Sequence, residues 1–135
     1  MLGSATYKNW AGHVFESVCL SHIKQIKAAL GIAAVSVNIA NWRSKDSENG
    51  AEIDLLIDRR DKVVNICEIK YSEKEFTIDK PYSKNLWNKK ATFMEETKSR
   101  KAIHLTMLTT CGVKHNEYWG HIQSEVVQED LFEKN

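Results

Sequence analysis

The sequence has few of the residues that mark fibrous, secreted or membrane proteins. Only one of its 135 residues is proline and six are glycine, and there is no low-complexity tract, which fits one globular domain over residues 1–135. The three cysteines are far apart and form no CxxC pair, which argues against a disulfide framework or a zinc knuckle and fits a reducing cytosol. No stretch is apolar over enough residues to span a membrane, and no signal peptide is visible. We therefore expect a cytoplasmic protein without a membrane partner.

The overall charge is close to neutral. Lysine and arginine exceed aspartate and glutamate by one, while 42% of the residues are hydrophobic. A total of this size neither indicates nor excludes a nucleic-acid partner, because the distribution of charge decides such binding. No GxxxxGK[ST] motif occurs, so this chain alone is not expected to hydrolyse ATP.

The most informative stretch is 50–71, GAEIDLLIDRRDKVVNICEIKY. It predicts two strands, 51–58 and 63–71, joined by a tight turn, because apolar residues alternate in the first and β-branched residues dominate the second. Glu68 and Lys70 interrupt the second strand and share one of its faces. A carboxylate and an ammonium near the end of a core strand are costly unless they are paired, which makes this a candidate site.

The length of the turn decides where the acidic residues meet. An odd-numbered loop over 60–62, or a bulge, places Asp54 opposite Glu68 on one face of the hairpin. A two-residue loop at 60–61 instead pairs Asp54 with Cys67 and moves Glu68 to the other face. In the first register two carboxylates and a lysine converge, and two carboxylates can hold a divalent cation such as Mg²⁺ with waters in the remaining positions.

Residues 9–30 predict one long helix, because apolar residues recur at steps of three and four. Gly31 follows the last of them, where a helix commonly ends. The residues that set the period are Trp10, Val14, Phe15, Val18, Ile23, Ile26 and Leu30. Glu16 lies at the border of this stripe, and its pattern alone is typical of a solvated helix acid.

Three further strands are predicted, over 34–42, 102–110 and 122–127. A second helix, opening at Pro81 or Ser83, runs to about residue 99. Strand, helix and strand in this order imply a right-handed crossover between parallel strands. The polar stretch 43–50 ends in Asn49-Gly50, a strong turn signal.

The second predicted helix is the most basic part of the chain. Its predicted apolar side consists of Leu86, Trp87, Lys90, Phe93, Met94 and Thr97. Its lysines form either an ordinary solvated face or the positive surface that a phosphate backbone needs. We interpret His115 and His121, in the aromatic segment 114–121, as surface residues. Leu131 and Phe132 are expected to dock on the body as a closing turn.

An aspartate followed by Glu-x-Lys on the next strand resembles the core motif of the PD-(D/E)XK nucleases, the restriction-endonuclease-like superfamily. The half-motifs here are Ile53-Asp54 and Glu68-Ile69-Lys70, with isoleucine in place of the proline. The segments GAEIDLLIDR and CEIKYS are similar to sequences in the C-terminal nuclease-like domain of bacterial AAA-type ATPases. The resemblance is specific at 50–72 and diffuse elsewhere. It implies an α/β fold with an αβββαβ core, a mixed central sheet flanked by helices, and a position at the C-terminal end of a larger ATPase.

The resemblance also implies a chemistry, the metal-dependent hydrolysis of DNA phosphodiesters. Asp54 and Glu68 would ligate Mg²⁺ or Mn²⁺. Family members carry a further metal-directed glutamate on the first helix in a context that Gly12, Phe15 and Glu16 match, so Glu16 becomes a third candidate ligand. A homodimer is a further expectation, since cutting both strands often uses two copies in this superfamily.

Lys70 is the fourth candidate catalytic residue. Neighbouring carboxylates favour the charged form of a lysine, and a protonated lysine is a poor base. We therefore assign Lys70 to orienting the water and offsetting charge in the transition state. The family often places another polar residue on the second helix, for which Lys89 and Lys90 are equal candidates.

Two alternatives stay open. The domain can have kept its fold without turnover, serving as a DNA-binding, dimerisation or regulatory module of an ATPase. Alternatively, Asp54, Glu68 and Lys70 form a structural ion network in an unrelated α/β domain, although charges concentrated on one face more often mark a site.

Overall fold

The computed structural model describes residues 3–45 and 50–132. Its helices are α1 (Ser4–Leu20), α2 (Ile23–Ala29) and α3 (Lys80–Thr97). Its strands are β1 (Val37–Arg43), β2 (Glu52–Arg59), β3 (Val63–Lys70), β4 (Ala102–Thr109) and β5 (Ser124–Val127). Two 3₁₀ helices, Trp119–His121 and Gln128–Phe132, flank β5. Within the described ranges no helix is both long and apolar enough to cross a membrane.

The five strands form one mixed sheet in the order β1-β2-β3-β4-β5. The first three strands are an antiparallel meander. After the α3 crossover, β4 lies parallel to β3, and β5 lies parallel to β4. This confirms the predicted α/β class, with its αβββαβ order and a mixed sheet flanked by helices.

The core consists of two apolar layers, one on each face of the sheet. On one face the buried residues of α1 and α2, Phe15, Cys19 and Ile26, pack against β2 and β3. On the other face Leu86 and Phe93 of α3 pack against the opposite side chains of the same strands. Because β3 is covered on both faces, its two charged residues sit at the margin of a dry interior.

The prediction of one helix over 9–30 is wrong, since the chain breaks between α1 and α2. The Ser21 hydroxyl donates to the Ser17 carbonyl at 2.8 Å, and Nδ1 of His22 lies 2.6 Å from the Val18 carbonyl oxygen. Side chains that satisfy the last carbonyls in this way offer the backbone an alternative to continuing the helix. The predicted stop is confirmed, because Gly31 adopts φ +75° just after α2.

The α3 helix begins one residue before its predicted start. The Asp79 carboxylate caps it by accepting the Tyr82 backbone N–H at 2.9 Å, and Pro81 lies in the first turn, where its missing N–H costs nothing. At the other end Lys98 takes a left-handed conformation with φ 56°, the position where glycine is common.

The apolar sides predicted for the helices are only partly buried. On α1, Trp10 and Val14 are exposed, because the sheet covers the line through Ala11 and Phe15 instead. On α3, Trp87 and Met94 are exposed while Leu86 and Phe93 are buried. Near the end of the described chain Leu131 docks in the core as predicted, but Phe132 is 59% exposed. The Asn49-Gly50 turn involves Asn49, which lies outside the described residues.

The β2–β3 hairpin adopts the register centred on Asp61. Leu55 pairs with Cys67, and Asp58 pairs with Val64, so continuing this register places Asp54 across from Glu68. Lys62 completes the odd-numbered turn with φ 70°. The structure therefore agrees with the odd-numbered loop and disagrees with the two-residue alternative.

Candidate active site

A cleft of about 910 Å³ opens where β3 ends. The middle of α1 forms one wall, and the segment after β3 forms the other. Its described lining residues are Lys8, Asn9, Gly12, His13, Glu16, Asp54, Ile69, Lys70, Tyr71, Ser72, Glu73, Lys74, Glu75, Phe76 and Thr77. Three of the four predicted catalytic residues, Glu16, Asp54 and Lys70, thus share one cavity.

Hydrogen bonds from a side chain and from the backbone hold the wall that follows β3. The Thr110 hydroxyl donates to the Ser72 carbonyl at 2.6 Å and accepts the Ser72 N–H at 2.9 Å. The Phe76 N–H donates to the Gly112 carbonyl at 2.8 Å, which continues the parallel pairing beyond β4. The cleft is therefore built on fixed backbone.

Asp54 lies where the side-chain alternation of β2 is interrupted. Ile53 belongs to the core on the α3 face, whereas Leu55, two residues later, belongs to the core on the α1 face. The pairing with β1 shifts at the same place, so that two residues of β2 lie across from Asn41. Such a bulge redirects a side chain. Asp54 is exposed, and it lines both this cleft and a smaller cavity of about 300 Å³ together with Glu16.

Glu68 is directed toward α3. It is 6% exposed, and its carboxylate accepts hydrogen bonds from Lys89 Nζ at 2.8 and 3.1 Å. The Tyr82 hydroxyl donates to the same carboxylate at 3.3 Å. Burial, and to a smaller extent the charge of Glu68, raises the pKa of Tyr82. The phenol therefore keeps its proton and remains a hydrogen-bond donor. The carboxylate is thus compensated by groups of its own chain.

Lys70 follows Glu68 by two positions and shares its face of β3. Its Nζ lies 5.3 Å from the centroid of the Tyr82 ring, a cation–π contact. Tyr82 also packs edge-on against Phe76, with ring centroids 5.1 Å apart. The Tyr82 ring therefore sits between the Glu68 carboxylate and the cleft wall, and it holds the Lys70 ammonium at the cleft.

The structure distinguishes the two lysines that the sequence left equal. Lys89 pairs with Glu68, whereas Lys90 lies over the Trp87 ring at 5.1 Å. Tyr82 was not predicted as a site residue. The sequence did contain a signal for Tyr82 and Lys89. Together with Leu86 they recur at steps of four and three, so they share one helix face.

The charges in the cleft are mixed. Among the described lining residues four are acidic, Glu16, Asp54, Glu73 and Glu75, and three are lysines, Lys8, Lys70 and Lys74. Carboxylates that share a concave surface repel an approaching anion. A polyanion would therefore enter this cleft poorly unless a cation offset the carboxylates.

The donor set fits a hard cation. Glu16 and Asp54 offer carboxylate oxygens, which Mg²⁺ prefers, and Mg²⁺ is often held by one or two carboxylates with water in its other positions. Within residues 3–45 and 50–132 no three His, Cys, Asp or Glu side chains are already gathered as a metal site. For Glu68 to become a third ligand, its carboxylate would have to leave Lys89.

Comparison with known protein families identifies the family of the chain. A family model described as archaeal and bacterial proteins of unknown function, DUF234, matches residues 4–85, more than half of the chain. The chain belongs to the DUF234 family. The matched region contains Glu16, Asp54, Glu68 and Lys70, and it ends within α3 before Lys89.

One solved structure supports the fold of this family member. The crystal structure of a protein of unknown function, AF1548, matches it with a TM-score of 0.50 at 13% sequence identity. The match covers 81% of this chain and 56% of AF1548, so the chain spans little more than half the length of that protein. At this identity the likeness shows the fold alone. No curated protein matches the chain.

Proposed function

We propose that this domain hydrolyses DNA phosphodiesters with the help of a divalent cation, as a nuclease of the PD-(D/E)XK type. The observation that carries the proposal is the shared cleft of Glu16, Asp54 and Lys70 at the end of β3. Carboxylates beside a lysine in a concave site are the groups that phosphodiester hydrolysis needs. The resemblance of residues 50–72 to that superfamily points the same way, although Glu68 pairs with Lys89 and does not line this cleft.

The lysines of the cleft bind and position the substrate in this proposal. Lys70, held at the cleft by Tyr82, lies beside the scissile phosphate and offsets the charge that develops there. Lys8 and Lys74, on opposite walls, contact phosphates on either side. Asn9 and Ser72 supply uncharged hydrogen-bonding groups at the same walls.

The acids of the cleft hold the cation. Glu16 and Asp54 would bind Mg²⁺ or Mn²⁺, and Glu68 would join them once it is released from Lys89. The bound ion would supply an acidified water and a positive charge at the phosphate. Without the ion, the same carboxylates repel the phosphates of the substrate. Catalysis and substrate entry therefore both depend on the bound cation.

Cleavage of plasmid and oligonucleotide DNA in millimolar Mg²⁺ tests the proposal. Asp54→Asn, Glu68→Ala and Lys70→Ala should each lower the rate on the order of 100-fold or more. The matched control is Asp58→Asn, an acid of the same strand that pairs with Lys101 at 2.6 Å, which should cleave at the wild-type rate. Undiminished cleavage in Glu68→Ala and Lys70→Ala would refute the assignment.

The Glu68–Lys89 pair favours a second candidate function, a nuclease-like module that binds DNA without cutting it. A carboxylate already neutralised by its own chain at 2.8 Å has less to gain from a cation. Duplex binding in the presence of EDTA, combined with absent cleavage in both Mg²⁺ and Mn²⁺, would select this reading. An ATPase domain and a second copy of the chain remain proposed partners under either reading.

A further inference from the structure

A cluster of aromatic rings outside the cleft has no role in the proposed hydrolysis. It consists of Trp87 on α3, and of His115, Trp119 and His121 in the segment between β4 and β5, with Lys90 beside it. We call these five residues the tryptophan platform. Trp87 is 48% exposed and Trp119 is 37% exposed, so two large rings face solvent on the α3 side of the sheet.

The exposed rings are held in place. The Trp119 indole N–H donates to Glu125 at 2.7 Å, and its ring stacks on His115 with centroids 4.0 Å apart and planes 30° apart. The Trp87 N–H donates to Nδ1 of His121 at 3.4 Å, and the two rings meet edge to face. A ring that is already oriented loses little rotamer freedom when a ligand stacks on it.

Two lysines flank the platform ring that lies on α3. Lys84, Trp87 and Lys90 follow one another at steps of three, which places them in one row on the helix surface. Lys90 Nζ lies 5.1 Å from the Trp87 ring centroid. Exposed rings interleaved with lysines match the two features of a nucleobase strand, its π-faces and its phosphates.

Glu125 contacts Trp119, and the exposed Glu117 lies between His115 and Trp119 in the chain. Glu125 accepts the Trp119 indole N–H with one oxygen and the Val113 backbone N–H with the other. Glu125 therefore fixes the orientation of the Trp119 indole. The charges along the outward row of α3, Lys84 and Lys90, are positive.

We propose that the tryptophan platform binds single-stranded nucleic acid by stacking bases on Trp87 and Trp119. A duplex is a poor fit because its bases are stacked on each other and their faces are closed to side chains. None of the platform residues lines the cleft, but Tyr82 and Ser83 of α3 connect the two regions. Tyr82 contacts the cleft residues Lys70 and Phe76, and the hydroxyl of the next residue, Ser83, lies 3.5 Å from His121 Nδ1.

Binding needs no metal, so it is tested apart from hydrolysis. The probes are fluorescein-labelled oligo-dT and oligo-U of ~12 nucleotides and a duplex of equal length. Anisotropy is recorded in EDTA for the whole chain. We expect both single strands to bind more tightly than the duplex. Preference for one sugar would identify DNA or RNA as the ligand.

The decisive variant is Trp87→Ala, with Trp10→Ala as its matched control. Trp10 is 57% exposed, but it lies on α1, on the other face of the sheet. Loss of one stacked base should weaken single-strand binding about 5- to 100-fold in Trp87→Ala, while Trp10→Ala stays within about twofold of wild type. Lys90→Gln should reduce the slope of log K against log salt by about 0.7.

Several outcomes would overturn the proposal. One is that no single strand binds, and another is that the two tryptophan variants weaken binding equally. A third is self-association that Trp87→Ala abolishes without any oligonucleotide binding, which would make the platform a protein interface. Single-strand binding in EDTA without cleavage in Mg²⁺ or Mn²⁺ would support the platform and refute the hydrolysis, so the two proposals can fail separately.

Discussion

The Glu68–Lys89 pair makes the sharpest stability prediction. Replacing Lys89 by methionine keeps the length of the side chain and removes its charge, which leaves Glu68, 6% exposed, with the Tyr82 hydroxyl as its remaining hydrogen-bond partner among the described residues. Breaking a buried pair by removing one partner costs about 3–5 kcal/mol. Because the Lys89 side chain retains 19% exposure, we expect a value shifted below that range, about 2–4 kcal/mol.

Urea unfolding followed by far-UV circular dichroism measures the effect. With an m value near 2 kcal/mol/M, the midpoint should fall by about 1–2 M at constant slope. Lys90→Met, one position along the same helix, is the control and should stay within about 0.5 kcal/mol of wild type. The double variant Glu68→Gln with Lys89→Met should be more stable than additivity predicts, by at least about 1 kcal/mol. Strict additivity would mean that the two side chains do not interact in solution.

The same variant reports on the cation. In Lys89→Met the Glu68 carboxylate no longer has its internal counter-charge, so Mg²⁺ should bind more tightly and stabilise the variant more than the wild type. A tenfold gain in affinity adds up to about 1.4 kcal/mol at saturating metal. Equal stabilisation of both proteins by Mg²⁺ would remove Glu68 from the proposed ligand set.

Three further predictions follow from the thiols and the backbone. Cys111 is exposed while Cys19 and Cys67 are buried, so a thiol reagent at neutral pH should modify one cysteine quickly and the other two only after denaturation. Burial, followed by the nearby Glu16, raises the pKa of Cys19 from 9.0 to about 12. The contribution of its neutral thiol to the free energy of unfolding is therefore full below pH 9 and is lost as the pH rises toward 12. In urea titrations over this pH range, Cys19→Ala should lose less stability than the wild type. Gly31 and Lys98 both adopt a left-handed backbone conformation, with φ +75° and 56°. Calorimetry should show Gly31→Ala destabilised by about 1 kcal/mol, and Lys98→Gly unchanged or stabilised by up to about 1 kcal/mol. Changes of the opposite sign would count against these backbone conformations.

The order of the strands was predictable because it depends on local patterns, whereas the sequence left two hairpin registers open. Alternation in 51–58, the apolar run in 63–71 and the turn between them are short-range features. They are sufficient to place Glu68 and Lys70 on one face of β3. The α1–α2 break was not predictable from glycine or proline, because it depends on side-chain bonds from Ser21 and His22 back to the helix.

The bulge at Asp54 could not be predicted from the hairpin alone. It arises in the pairing of β2 with β1, beside Trp42, whose ring packs 5.4 Å from that of Phe93 in the core on the α3 face. The choice of Lys89 over Lys90, by contrast, was within reach. Leu86 and Phe93 define the inward face of α3, and Lys89 lies between them at helical spacing.

The central position of β3 has a consequence for how the domain opens. Its amides lie between two paired neighbours under two apolar layers, so their hydrogen exchange should require global unfolding. The chain around Asp54 sits at an interrupted pairing and should exchange through smaller, local openings. Half of the candidate site would then be as rigid as the protein itself, while the other half adjusts to what it binds.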